Sequence, residues 1–168
     1  MGVFECFGAV LAIIFIFLVY KRIKNSCSND RVEMSFRESM DLTDLPIVTF
    51  YNNNIRINFL LDTGATESVI DKTVCKGLNY LKINKTGTIF GMEGNKIDTS
   101  YVKLNFEYRN RTYNDEFQVL DMSAAFSQVK AETGVTLSGI LGSKFFKKYK
   151  YILNFDELIA YSKNVWYI

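Results

Sequence analysis

Histidine is absent from all 168 residues. No Ser-His-Asp triad, Cys-His dyad or H-E-x-x-H zinc site can be built from such a chain. Acid–base work near neutral pH falls to carboxylates, lysine, tyrosine or cysteine. Cysteine is sparse as well. Cys6, Cys27 and Cys75 are odd in number, far apart and form no C-x-x-C pair, which argues against a disulfide framework or a cysteine-held metal. Charge of one sign is also lacking: the formal net charge is +2, and no nucleic acid is expected as a partner. No cofactor or metal is expected. Proline occurs once, at Pro46.

What is present is apolar. Hydrophobic residues make up 48% and aromatics 15%, enough to bury the core of one domain. The run from Phe7 to Tyr20 has no charge, and counted from Val3 it reaches 18 residues interrupted only by Glu5. At about 1.5 Å per residue it spans roughly 27 Å, the thickness of a bilayer core. A cleaved signal peptide would start with basic residues and end at a small-residue site. Here the start carries Glu5, and Lys21, Arg22 and Lys24 follow the run. Residues 1–20 are therefore expected to form a single N-terminal transmembrane helix, with residues 3–20 in the membrane. The basic flank places the remainder in the cytoplasm. Residues 21–44 are expected to be a juxtamembrane linker or a removable pro-segment. Val32, Met34 and Phe36 alternate there with Glu33 and Ser35, a pattern of extended chain.

Residues 45–168 read as one mainly-β domain. Pro46 opens a first strand, where a missing N–H is tolerated. Asn52, Asn53 and Asn54 then form a turn, and Ile55 to Phe59 return in clean alternation. Leu60 and Leu61 break that alternation, as at a strand end buried on both faces. Further strands are expected over 88–90, 96–100, 101–107, 112–120, 151–155 and 158–162. Val102, Leu104 and Phe106 fall on one face, opposite Lys103, Asn105 and Glu107. Helical signals are short: one starts at Asp121, and a C-terminal one runs from Ser143, its cap, to Tyr149. Lys147, Lys148 and Lys150 read as a solvated face, with contact to anionic lipid as the competing reading. Short strands at this spacing point to a small closed barrel or sandwich.

The sharpest motif is Asp62-Thr63-Gly64-Ala65-Thr66, directly after the apolar strand and before Val69-Ile70-Asp71. An ionisable group after a buried run is costly unless it has a use. The tripeptide alone is weak, but its setting is not. PIVTFYNNNIRINFLLDTGATESVID resembles the opening of retropepsin-like aspartic proteases. A second segment, Gly139-Ile140-Leu141-Gly142 running into Ser143-Lys144-Phe145, resembles their apolar-apolar-Gly signature. The resemblance covers roughly residues 45–162.

It implies a closed acid-protease β-barrel with one short C-terminal helix, acting on peptide or protein substrates. It makes Asp62 the catalytic residue, supported by Thr63, Gly64 and Ala65. Gly91, Met92, Glu93 and Gly94 would form a flap over substrate, for which an ordinary hairpin turn is the competing reading. Ile140, Leu141 and Gly142 would pack beside the Asp62 loop. Two carboxylates side by side share one proton and activate a water between them. The chain has one Asp-Thr-Gly; Asp98-Thr99-Ser100 and Glu132-Thr133-Gly134 are near misses. A homodimer with two copies of Asp62 on its two-fold axis is therefore expected. The competing reading is a catalytically silent barrel kept for dimerisation or for holding a peptide at the membrane. If the enzyme reading holds, a plot of kcat/KM against pH follows the Asp62 pair and shows no histidine-like step near pH ~6.5.

Overall fold

The computed structural model describes residues 33–90 and 96–163. The expected transmembrane segment, the flap residues Gly91, Met92, Glu93 and Gly94, and the last five residues lie outside these. Among the described residues no helix is long and apolar enough to cross a membrane.

The chain runs α1 (Phe36–Thr43), β1 (Ile47–Asn52), β2 (Ile55–Leu61), β3 (Ser68–Asp71), α2 (Lys72–Cys75), β4 (Tyr80–Phe90), β5 (Lys96–Tyr108), β6 (Arg111–Leu120), α3 (Ser123–Thr133), β7 (Gly139–Leu141), α4 (Ser143–Tyr149), β8 (Tyr151–Asn154) and β9 (Ile159–Ser162). One sheet has the order β1-β2-β7-β3-β6-β5-β4. A pairing of Tyr51 with Glu107 joins β1 back to β5. Six strands thus close into a barrel, and β4 extends from β5 as the other arm of a long hairpin. β8 and β9 form a separate two-stranded sheet.

Local chemistry fixes the hairpins. Asn53 (φ 46°) and Asn54 (φ 66°) are both left-handed, the geometry that matches strand twist in a two-residue turn. β1 and β2 then pair in register from Ile47↔Leu60 to Asn52↔Ile55. Arg109 (φ 46°) and Asn110 (φ 61°) turn β5 into β6 in the same way. Val102, Leu104 and Phe106 are buried as the alternation predicts. Phe50, Phe59, Phe106, Phe117 and Phe145 form the heart of the core. Phe59 stacks on Phe117 at 5.3 Å, and Phe50 meets Phe106 edge-on at 5.3 Å, arrangements favoured by the ring quadrupoles.

Three expectations are corrected. Residues 33–44 are not linker, since Glu33 already belongs to the compact unit that contains the barrel. The alternation that reads as extended chain runs as far as Ser35, and there Ser35 caps α1 in a reciprocal box with Glu38, satisfying amides of the helix start. The Ser35 N–H holds the Glu38 carboxyl below its usual range. The chain docks firmly. Met34 and Phe36 are 2% and 1% exposed, Thr49 N–H donates to the Met34 carbonyl at 2.9 Å, and Ile47 N–H donates to Ser39 Oγ at 3.0 Å.

The second correction concerns helices. The fold carries more than the one short C-terminal helix that the resemblance implied: α1 and α2 are additional, and α3, 11 residues long between β6 and β7, forms where the signal starting at Asp121 placed a helix. Phe126 holds it against Ile47 and Leu137 in a second, smaller apolar cluster. The third concerns the cap of α4, which is Gly142 with no side-chain bond rather than Ser143; the loop carbonyls described below take the place of a side chain. Two short strands, β3 and β7, were not anticipated as strands. Each has four residues or fewer, too few to show a period.

Phe36→Ala removes a fully buried ring that also meets Phe155 edge-on at 5.3 Å. Urea unfolding of this variant is expected to show a loss of about 3–5 kcal/mol.

Candidate active site

Asp62 sits where β2 leaves the barrel. β2 and β7 run parallel, with Leu60 opposite Ile140 and Leu61 opposite Leu141. Asp62 N–H donates to the Leu141 carbonyl at 3.0 Å, so the ladder continues one step past the strand and fixes the aspartate backbone. Leu61 and Leu141 point into the main core at 2% and 0% exposure. Leu60 and Ile140 are half-buried and pack on the smaller cluster. This split explains why two leucines in succession end β2: one serves each side of the sheet.

The loop beyond is held by its own atoms. Asp62 Oδ1 accepts the Gly64 N–H at 2.8 Å, which sets the rotamer of the carboxylate, and Ala65 N–H donates to the Asp62 carbonyl at 3.3 Å. Thr63 and Gly64 are exposed, while Asp62 and Ala65 are half-buried. The carboxylate thus has one oxygen oriented by backbone on a loop that faces outward.

The chain end of β7 clamps the loop from below. Gly142 N–H donates to Ser68 Oγ at 3.2 Å. Ser143 N–H donates to the Ala65 carbonyl at 2.7 Å, and Lys144 N–H to the Thr66 carbonyl at 3.2 Å. The first amides of a helix have no partner within it; here α4 spends its amides on the Asp62 loop. The approach is so close that a Cβ at position 142 would lie 2.5 Å from the Glu67 carbonyl oxygen and 2.9 Å from that of Ala65. At Gly139 a Cβ would lie 2.3 Å from the Val69 carbonyl oxygen. Both glycines are needed for closeness rather than for a turn. Lys144 also forms an ion pair with Glu67.

Of the residues singled out in the sequence, Asp62, Thr63, Gly64, Ala65, Ile140, Leu141 and Gly142 come together in one loop cluster. The flap residues fall outside the described chain, but β4 and β5 pair up to Phe90↔Lys96 on either side of them. The near misses lie elsewhere. Thr99 is buried on β5, where its hydroxyl donates to the Gly87 carbonyl at 3.1 Å and accepts from Gln118 Nε2 at 2.6 Å. Gly134 caps the C-terminus of α3.

Two supporting residues were missed. Ser68 is one. The other is Asp71, 4% exposed, whose Oδ1 accepts from Thr73 N–H (2.8 Å) and Val74 N–H (3.1 Å) and whose Oδ2 accepts from Met122 N–H (3.0 Å). It caps α2 and ties down the entry to α3. An aspartate directly before Lys-Thr-Val carried a legible cap signal. Past Glu67 the surface is a basin of about 380 Å³ whose three carboxylates pair with three of its four lysines. Lys85 and Glu116 meet at 2.8 Å, which raises the lysine and lowers the glutamate from their usual ranges. Lys148 of the basic run pairs with Asp115 at 2.9 Å.

Residues 48–145, which include both the Asp62 loop and Gly142, match the family model described as Aspartyl protease. The chain belongs to the retropepsin-like aspartyl proteases. Among solved structures it is similar to the retroviral protease-like domain of Ddi1 from Leishmania major, at 12% identity and a TM-score of 0.55, over 72% of this chain and 90% of that one. It also matches the EIAV protease bound to an inhibitor, at 20% identity and a TM-score of 0.44, over 62% of this chain and 86% of that one. No curated protein sequence matches it. The Ddi1 likeness concerns the fold, and the two family signatures are the residues that meet at Asp62.

Gly142→Ala should push α4 off the loop carbonyls. The expected result is a loss of about 1–3 kcal/mol of stability together with any activity that depends on Asp62. Ser143→Ala, one residue on and without a side-chain bond, is the matched control in thermal unfolding.

Proposed function

We propose that this chain is a membrane-anchored aspartic endopeptidase whose working unit is a homodimer. The observation that carries the reading is the Asp62 loop. It offers one backbone-oriented carboxylate on an exposed turn, braced from below by α4, with no second Asp-Thr-Gly in the chain. A lone carboxylate can take a proton from water but has no partner to protonate the carbonyl oxygen of a peptide. Two copies brought together by a two-fold axis supply both functions. Like charges so close share a single proton.

In this mechanism the shared proton lies between the two Asp62 side chains and a water sits against both. The ionised carboxylate removes a proton as the water oxygen attacks the carbonyl carbon. The protonated one donates to the carbonyl oxygen. The tetrahedral intermediate then breaks its C–N bond as the nitrogen gains a proton, leaving a new carboxyl and a new amine. Thr63, exposed at the loop tip, braces one copy against the other. Gly64 orients the carboxylate, and Gly91 to Gly94 cover the bound peptide.

Residues 3–20 anchor the chain in a membrane, with the folded unit from Glu33 on the cytoplasmic side by the charge rule. Confinement to a surface raises the effective concentration of the subunits, which suits a site split between two chains. The substrates are extended peptide segments near that surface.

In the full chain, Asp62→Asn should lower cleavage of a peptide library on the order of a thousandfold or more. Adding excess Asp62→Asn chain to wild type should also inhibit it, because mixed dimers carry a single ionisable aspartate. Equal cleavage by both proteins, or no inhibition on mixing, would sink the shared site.

A further inference from the structure

A groove of about 270 Å³ opens beside α2 and the first residues of β4. Its floor is apolar: Cys75 and Val102 are each 4% exposed, with Val119 half-buried beside them. Burial pushes the Cys75 thiol above its usual range, which keeps the floor uncharged. Its rim is cationic: Lys72, Lys76 and Lys82 are all exposed, and no carboxylate lines the groove. Among the described residues none of the three forms an ion pair. Asp71, next to Lys72 in the chain, is buried with its carboxylate taken up by three backbone N–H groups, and Asp121, which also feels Lys72, is fully exposed and held by Ser123. A second lysine-lined basin differs, because Lys85, Lys144 and Lys148 there are paired with Glu116, Glu67 and Asp115, leaving only Lys103 without an ion pair among the described residues.

The groove lies at the end of the barrel where the folded chain begins. Tyr51 Oη donates to Glu33 at 3.0 Å. The next residue, Asn52, accepts from Asn79 N–H at 2.9 Å and donates to the Asn79 carbonyl at 3.0 Å. Asn79 follows Lys76 by three residues. Between the apolar run and Glu33 there are only residues 21–32, which can reach at most about 40 Å.

We infer that this groove docks on the anionic face of the membrane that carries the anchor, with Lys72, Lys76 and Lys82 around one acidic phospholipid headgroup and the apolar floor under its glycerol ester. The inference rests on the anchor proposed above. Each lysine near an anionic surface improves partitioning about fivefold, so three together give on the order of a hundredfold. Docking at the foot of the β4–β5 hairpin would orient the Asp62 loop relative to the bilayer and select substrates by their distance from it.

The test uses full-length chain in nanodiscs of phosphatidylcholine, with or without phosphatidylserine, read by hydrogen exchange. Residues 72–83 should exchange at least about tenfold more slowly on the anionic discs, as the estimate above allows. The triple variant Lys72→Glu, Lys76→Glu, Lys82→Glu should lose that protection while β1 and β2 exchange as in wild type. Equal exchange on both discs overturns the proposal. Protection on neutral discs by added inorganic phosphate, without phosphatidylserine, overturns it in favour of a free anion. Failure of the chain to enter discs at all removes the anchor and this proposal with it, whereas loss of protection with intact insertion removes this proposal alone.

Discussion

Two backbones cross at Gly142 with no room for a methyl group between them. β7 enters the sheet between β2 and β3, parallel to one and antiparallel to the other, and then turns into α4 directly beneath the Asp62 loop. Because position 142 has no side chain, the amides that open α4 reach the carbonyls of Ala65 and Thr66. The interaction is cooperative in a simple sense. Helix amides that would face water are satisfied by loop carbonyls that would otherwise lack partners. The position of the Asp62 loop follows from that crossing, while the direction of the carboxylate is set within the loop by the Gly64 N–H.

The rest of the barrel keeps the crossing in place. Phe145, the third residue of α4, is fully buried among Phe50, Phe106, Tyr113 and Tyr151. Ser68 lies on β3 and joins the loop side to Gly142. Asp71 ends the same short strand and secures both α2 and the entry to α3. A shift of β3 by one residue would turn Ser68 and Asp71, which face opposite sides of the strand, each away from its partners. Four residues of strand therefore carry more of the site than their length suggests.

Much of this was legible in the residues. The Asn53-Asn54 turn, the alternation of Val102 to Phe106 and the paired leucines before Asp62 each have a local cause, and each appears in the fold as that cause predicts. The two family signatures were visible because their glycines and aspartate are chemically unusual in those positions. What was not legible depended on distant partners. α1 is built from a mixed sequence whose apolar residues alternate over a few positions, and only the Ser35–Glu38 box marks it as helix. β7 is three residues long and gains its identity from β2 and β3 on either side. The cap of α4 was misassigned because its partners, Ala65 and Thr66, lie more than seventy residues away in sequence.

The docking of α1 sets a boundary for any processing of this chain. Arg37 donates to the Glu157 carbonyl in the turn between β8 and β9, so the helix ties the start of the folded unit to its last sheet. A cut within residues 33–44 would not free a spacer. It would strip two core side chains and open the face of β1 to water. A stable form of the folded unit therefore has to include the chain from Glu33 on.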